Sequence, residues 1–150
     1  MQQPLAEDIL TLPPAYRLYK ENHIIIATFL GTPLIGGYLI GENFKQLGKK
    51  SSARNAWIIA VLSTVIIFGG VFLIPGSENL PSWLIPIIYI SITRFLVQKY
   101  QGADLKSHAA ANGQFYSGWR AVAISLIGLV LLVAVIIWIL YWSDAPASSV

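Results

Sequence analysis

Arg94, Glu42, His23 and His108 are the side chains whose types and positions offer chemistry in this 150-residue chain. Arg94 stands within an apolar run that extends from Leu80 to Tyr100. A guanidinium at membrane depth contacts an anion, a substrate or a partner's carboxylate, or it snorkels along its own stem to the interface. Arg94 is less than two helical turns from Lys99, which favours snorkelling. Glu42 follows Gly41 at the end of the first apolar segment. Proton-coupled transport wants a carboxylate deep in the membrane, where desolvation raises its pKa. Glu42 stands at an edge, close to Lys45, which predicts a solvated charge. His23 and His108 are expected on opposite faces, so they share no metal and read as loop and interface histidines.

Ser63, Thr64, Ser91, Thr93 and Ser125 fall inside apolar runs. A serine nucleophile needs a general base within reach, and these runs supply none. The hydroxyls are expected to bond a carbonyl one turn earlier, or to cross a helix interface. Cysteine is absent, so thiolate chemistry and disulfides are excluded. No catalytic, metal or cofactor site is expected, and the enzyme reading is disfavoured.

Small residues carry more signal. Gly37 and Gly41 have the spacing at which a second helix approaches the backbone closely. Ala56, Ala60 and Ser63 make a second small-residue strip, and Ser117, Ala121 and Ser125 a third. All eight are candidate helix-packing positions, with packing inside one bundle the default and contact between molecules the alternative.

The elements that position these residues follow from composition. Hydrophobic residues make up 55% of the chain and charged residues 11%, against about 25% charged in soluble domains. So much apolar surface does not fit inside one small core. A cytosolic enzyme, a nucleic-acid-binding domain and a disordered tail are thereby excluded. Four apolar segments are near the about 20 residues of a membrane span: Ile24–Gly41, Ala56–Ile74, Leu80–Tyr100 and Trp119–Trp142. Each is apolar without alternation, which predicts helices rather than barrel strands. The fold class expected is all-α, an integral membrane four-helix bundle with its first helix broken by Gly31, Pro33 and further glycines. The domain reading is an N-terminal tail over 1–22, a four-span bundle over 23–142 and a C-terminal tail over 143–150. The acidic N-terminus lacks the basic lead of a cleavable signal peptide. The short link Pro75–Asn79 predicts an antiparallel hairpin of the second and third segments.

Lys45, Lys49, Lys50 and Arg54 belong to one connection; Arg94, Lys99, Lys106 and Arg120 flank another. Four spans place both connections on one side, cytoplasmic by the positive-inside rule. Trp57, Tyr100 and Trp119 then mark the inner edge, and Trp83, Trp138, Tyr141 and Trp142 the outer one. The rival arrangement is a re-entrant first segment, which keeps the N-terminus, Arg17 and Lys20 on the cytoplasmic side too. Four full spans are preferred. Among the flanks, Leu5–Tyr19 is suited to a membrane surface or a docking contact. Leu105–Ala111 is suited to a short interfacial helix stopped at Asn112-Gly113.

Ala27-Thr28-Phe29-Leu30-Gly31-Thr32-Pro33-Leu34, Gly37-Tyr38-Leu39 and Asn43-Phe44-x-x-Leu47-Gly48 resemble the opening of a family of small uncharacterised bacterial polytopic membrane proteins. Gln101-Gly102, His108 and Ser117-x-Trp119-Arg120 are similar to that family's second cytoplasmic connection. The resemblance implies a bacterial inner-membrane location and transfers no activity and no site. The function expected is a non-enzymatic scaffold or accessory subunit, acting as a homo-oligomer or within a larger membrane complex. Its partners are the lipid bilayer and other membrane subunits or further copies, with no nucleic acid. The alternative is a small channel or carrier whose path is lined by the broken first helix and Arg94.

Overall fold

The computed structural model describes residues 13–73 and 75–143. Among the described residues the all-α bundle has four long helices: α1 (Glu21–Gln46), α2 (Lys50–Leu73), α3 (Leu84–Ala110) and α4 (Gly118–Ser143), with a short 3₁₀ turn at Ser77–Asn79. By length and composition α1, α2 and α4 are each apolar enough to cross a membrane, and these helices mark a membrane protein. α3 starts only at Leu84, and from Arg94 onward polar residues interrupt it. Its helix runs on to Ala110 because no breaker intervenes, so the expected separate helix at Leu105–Ala111 is the last part of α3. Asn112, with φ of 54°, takes the left-handed position that ends it.

The first segment is broken where expected, but it departs from the preferred full span. Helical dihedrals fail at Gly31 (φ −118°, ψ 15°) and Thr32 (φ 73°, ψ 170°), immediately before Pro33. The chain reverses there. Asn43 Nδ2 donates to the Tyr19 carbonyl at 2.9 Å, and the Tyr19 N–H donates to Asn43 Oδ1 at 2.7 Å. A straight helix rising 1.5 Å per residue would hold those residues about 36 Å apart. α1 is therefore two antiparallel arms, 21–30 and 33–46, and both ends of it lie at one end of the bundle. The break has a local cause: proline supplies no N–H and clashes with the preceding turn. Close contact between the arms has another. Thr28 Oγ1, which donates to the Ile24 carbonyl at 2.8 Å, lies where a Cβ on Gly36 would be.

This hairpin is the centre of the bundle, since α2, α3 and α4 each pack on α1 and closely on none of one another. The expected α2–α3 hairpin thus has its short connection but no packed seam. Lipid tails do not drive helices together, so backbones must approach closely enough for dispersion contacts. Gly37 abuts Ala60 and the Ala56 carbonyl; Gly41 faces the Ala53 carbonyl and the Trp57 ring; Gly128 receives Ile35. The hairpin tip is level with Ser125, whose Cα is 3.1 Å from where a Cβ on Gly31 would stand. Ser125 is seven residues into α4, so the tip reaches about 10 Å up a helix of about 39 Å.

Candidate functional site

The end of the bundle where α1 begins and ends is its polar base. Leu18 and Phe115 form an isolated parallel bridge, with the Leu18 N–H donating to the Gln114 carbonyl at 3.3 Å and the Tyr116 N–H to the Leu18 carbonyl at 2.9 Å. Asn43 clamps Tyr19 from the other side, and its Nδ2 also lies 3.2 Å from Gln101 Oε1. Gln101 Nε2 donates to the Ile40 carbonyl at 2.8 Å. The Tyr19 ring meets Tyr116 at 4.6 Å, and the Arg120 guanidinium lies 4.3 Å from the Tyr116 centroid. Burial pushes the Tyr19 phenol above its ordinary pKa, outweighing the lowering effect of Arg120. Residues 16–20 therefore dock on the chain's own α3–α4 connection. The part of Leu5–Tyr19 before Pro13 lies outside the described residues.

His108 is not a solvated loop histidine. It is buried at 2% exposure in the last turn of α3, stacked on Tyr16 and edge-on to Phe115. The Gln114 carbonyl accepts from its Nε2 at 2.9 Å, while Nδ1 is buried without a partner. Asp104, one turn earlier, is committed to Lys49 at 2.6 Å. His23 packs near Gly118, so the two histidines lie at the same end of the bundle rather than on opposite faces. The doubling back of α1 is the reason.

Arg94 Nε is 3.3 Å from Glu21 Oε1 with 62% of its side chain exposed, and Glu21 also accepts from Gln98 at 2.8 Å. Its counter-ion is thus intramolecular and at the base, away from the helix break. Glu42 pairs with Lys45. All ten Lys and Arg residues belong to the base or to the segments entering it, Arg17 bonding Gln114 and Lys20 lying over Phe115.

Of the candidate packing positions, Gly37, Gly41, Ala56 and Ala60 meet across the α1–α2 seam. Ala121 and Ser125 are buried, with Ser125 Oγ donating to the Ala121 carbonyl at 2.7 Å. Ser117 is exposed, and its Oγ lies 3.3 Å from the Trp119 N–H. Thr64 and Ser91 donate to carbonyls one turn earlier. Ser63 and Thr93 instead face an open groove between α2 and α3.

That groove has a volume of about 470 Å³, within the 300–1,000 Å³ of small-molecule sites. Pro33 and Gly37 of α1 form its floor, Ile59 and Ile66 one wall, Ile92 and Leu96 the other. Its lower end is polar, with Ser52, Asn55 and Tyr100. Sequence reasoning missed both the Asn43–Gln101 network and the groove. The one signal for the network was a lone Asn and a lone Gln just past apolar runs. Comparison of the chain with protein-family models, with curated proteins and with solved structures finds no match.

Proposed function

We propose that this is a multi-pass protein of the bacterial inner membrane, with its base in the cytoplasm, acting without catalysis as a scaffold or accessory subunit. The first segment is then a re-entrant hairpin, and every Lys and Arg is on the cytoplasmic side as the positive-inside rule asks. One observation carries the subunit reading. α4 packs on α1 near its start and closely on neither α2 nor α3. Beyond the hairpin tip Val130, Leu131 and Ile137 present an apolar surface to whatever lies beside them. Gly37, Gly41, Ala60, Ala121 and Ser125 are spent inside the bundle, so assembly uses this outer face of α4. Purification in mild detergent should give a defined species larger than the monomer, reduced to monomer by Val130→Trp with helix content unchanged. A monomer from the native chain, or an assembly indifferent to Val130→Trp, overturns the reading.

The channel or carrier alternative draws on the broken helix, because discontinuous helices point to transport sites. Thr32 at the break has a buried hydroxyl without a partner. Arg94 no longer supports it, being paired with Glu21 far from that hydroxyl. Flux into proteoliposomes that Gly37→Leu abolishes would favour the carrier over the subunit.

A further inference from the structure

Where the second arm of α1 ends and α2 begins, the two helices leave a shallow depression at the base. Lys45 lines it from α1, and Lys50, Arg54 and Trp57 line it from α2, around the buried Ala53. The one carboxylate beside these cations is Glu42, paired with Lys45 at 2.5 Å. Lys49, next in the chain to Lys50, is committed to Asp104 of α3. Among the described residues the charged groups of Lys50 and Arg54 have no carboxylate partner. Three cations against one carboxylate leave the depression a surplus of two positive charges. Lys50 and Arg54 are also four residues apart on one helix, a spacing at which like charges destabilise it. The first turn of α2 holds no acidic residue to relieve them. The depression calls for an anion.

What adjoins the cations selects that anion. Positions 50, 54, 57, 61 and 65 follow the helical period and share one face of α2. On that face the two cations are followed by Trp57, 37% exposed, then by Val61 and Val65, 44% and 63% exposed. The Trp57 ring is held edge-on to Tyr38 at 5.8 Å and lies against Gly41. Indoles favour the level where hydrocarbon gives way to head groups. The face therefore passes from charge, through the interface, to an apolar surface open to lipid tails. An acidic protein segment matches the charges and leaves the apolar part of the face unused. A phospholipid with an anionic head matches both. Arg54 offers a phosphate its bidentate fork, and Lys45 and Lys50 offer point charges.

We propose that this depression binds the head group of one anionic phospholipid, its phosphate at Lys50 and Arg54 with Lys45 beside it. The acyl chains then lie along Val61 and Val65. The lipid relieves the repulsion at the start of α2 and ties α2 to the second arm of α1. This site rests on the membrane reading of the helices and is independent of the outer face of α4.

The test takes the purified full chain in neutral detergent and adds phosphatidylglycerol or phosphatidylcholine, read by native mass spectrometry and thermal melting. One phosphatidylglycerol per chain should be retained in preference to phosphatidylcholine, with a melting temperature several degrees higher. Lys50→Gln and Arg54→Gln should each lower that preference about fivefold. Both side chains are exposed, so helix content should be unchanged. Lys106→Gln removes one exposed charge from the α3 side of the base and should retain phosphatidylglycerol as the native chain does. Glycerol phosphate and a short glutamate peptide should each leave the melting temperature unchanged. Equal retention of the two lipids, or a loss in Lys106→Gln equal to that in Lys50→Gln and Arg54→Gln, would overturn the proposal. A melting shift from glycerol phosphate or from the peptide that matches the lipid's would overturn it too.

Discussion

At the base, Tyr19, Asn43, Gln101 and His108 are no more than 2% exposed, while in the projecting half of α4 Val130, Leu131 and Ile137 are each more than 60% exposed. A water-soluble protein shows the opposite preference, with polar groups outside and large apolar ones within. The inversion follows from the solvent around each part. Hydrocarbon covers an apolar helix face without penalty, so exposure of α4 costs little, and what its burial against a partner gains is close packing rather than exclusion of water. Polar groups at the base have no such freedom once enclosed: Asn43, Gln101 and the Tyr19 backbone are each held by a named partner, and His108 by its Nε2 alone. Fold specificity therefore resides in the base and in the glycine contacts of α1, while the projecting halves of α2 and α4 carry length and apolar surface.

The largest test of that contrast is Asn43→Ala. It strips partners from the Tyr19 N–H, the Tyr19 carbonyl and Gln101 Oε1 together. Buried groups left unsatisfied cost about 1–3 kcal/mol each, so a loss of about 3–5 kcal/mol is expected in a reversible unfolding titration in mixed detergent. A loss below about 1 kcal/mol would show that the base is not where stability concentrates.

Next comes Gly36→Ala, which places a methyl on Thr28 Oγ1 and forces the arms of α1 apart. Overpacking of this kind costs about 1–3 kcal/mol. Thr28→Ala in the same chain removes the colliding oxygen and should recover part of the loss, a coupling that a double-mutant cycle measures. Additive losses would mean that the arms are not in the contact described.

How much of this was legible in the sequence divides along the same line. Helix number, the apolar runs and the break at Gly31 and Pro33 follow from composition and local chemistry, which a single segment carries by itself. Gly37, Gly41, Ala56 and Ala60 were recognisable as packing positions, because small residues at this spacing have few other uses in lipid. The direction taken after the break was not legible. A kinked span and a doubled-back hairpin share the same Gly-Thr-Pro signal, and the choice depends on Asn43 finding Tyr19 and on residues 16–20 docking beside Phe115. Those partners are 24 and about 97 residues apart in sequence, so no local pattern reveals them. His108 illustrates the same limit: charge and neighbours suggest a solvated loop, whereas burial comes from Tyr16 and Phe115 folding over it.

Thr32 offers a smaller effect of opposite sign. Its dihedrals, φ 73° and ψ 170°, lie in a region that is essentially glycine's alone, and a β-branched residue there carries about 1–3 kcal/mol of strain. Thr32→Gly should stabilise the chain by about 1 kcal/mol, since the added freedom of glycine in the unfolded state offsets part of the relief. The hydroxyl has no partner to lose. A destabilised variant would show that Thr32 makes a contact beyond those of its own chain, which is the outcome a ligand at the break demands.

The smallest effect is expected at the other pole of the comparison. Val130→Ala removes two methyl groups from a face that is 67% exposed, leaving no internal cavity for the bundle to collapse into. A surface change of this kind costs about 0.5 kcal/mol or less, so melting of the detergent-dispersed monomer should be unchanged. The same substitution in the assembled state removes contact area from the outer face of α4, and any loss there belongs to the assembly. Val130→Ala thus separates the two roles by where it acts: silent in the monomer, measurable in the oligomer. A clear loss in the monomer would place Val130 inside the fold and end the contrast between a structured base and a projecting helix.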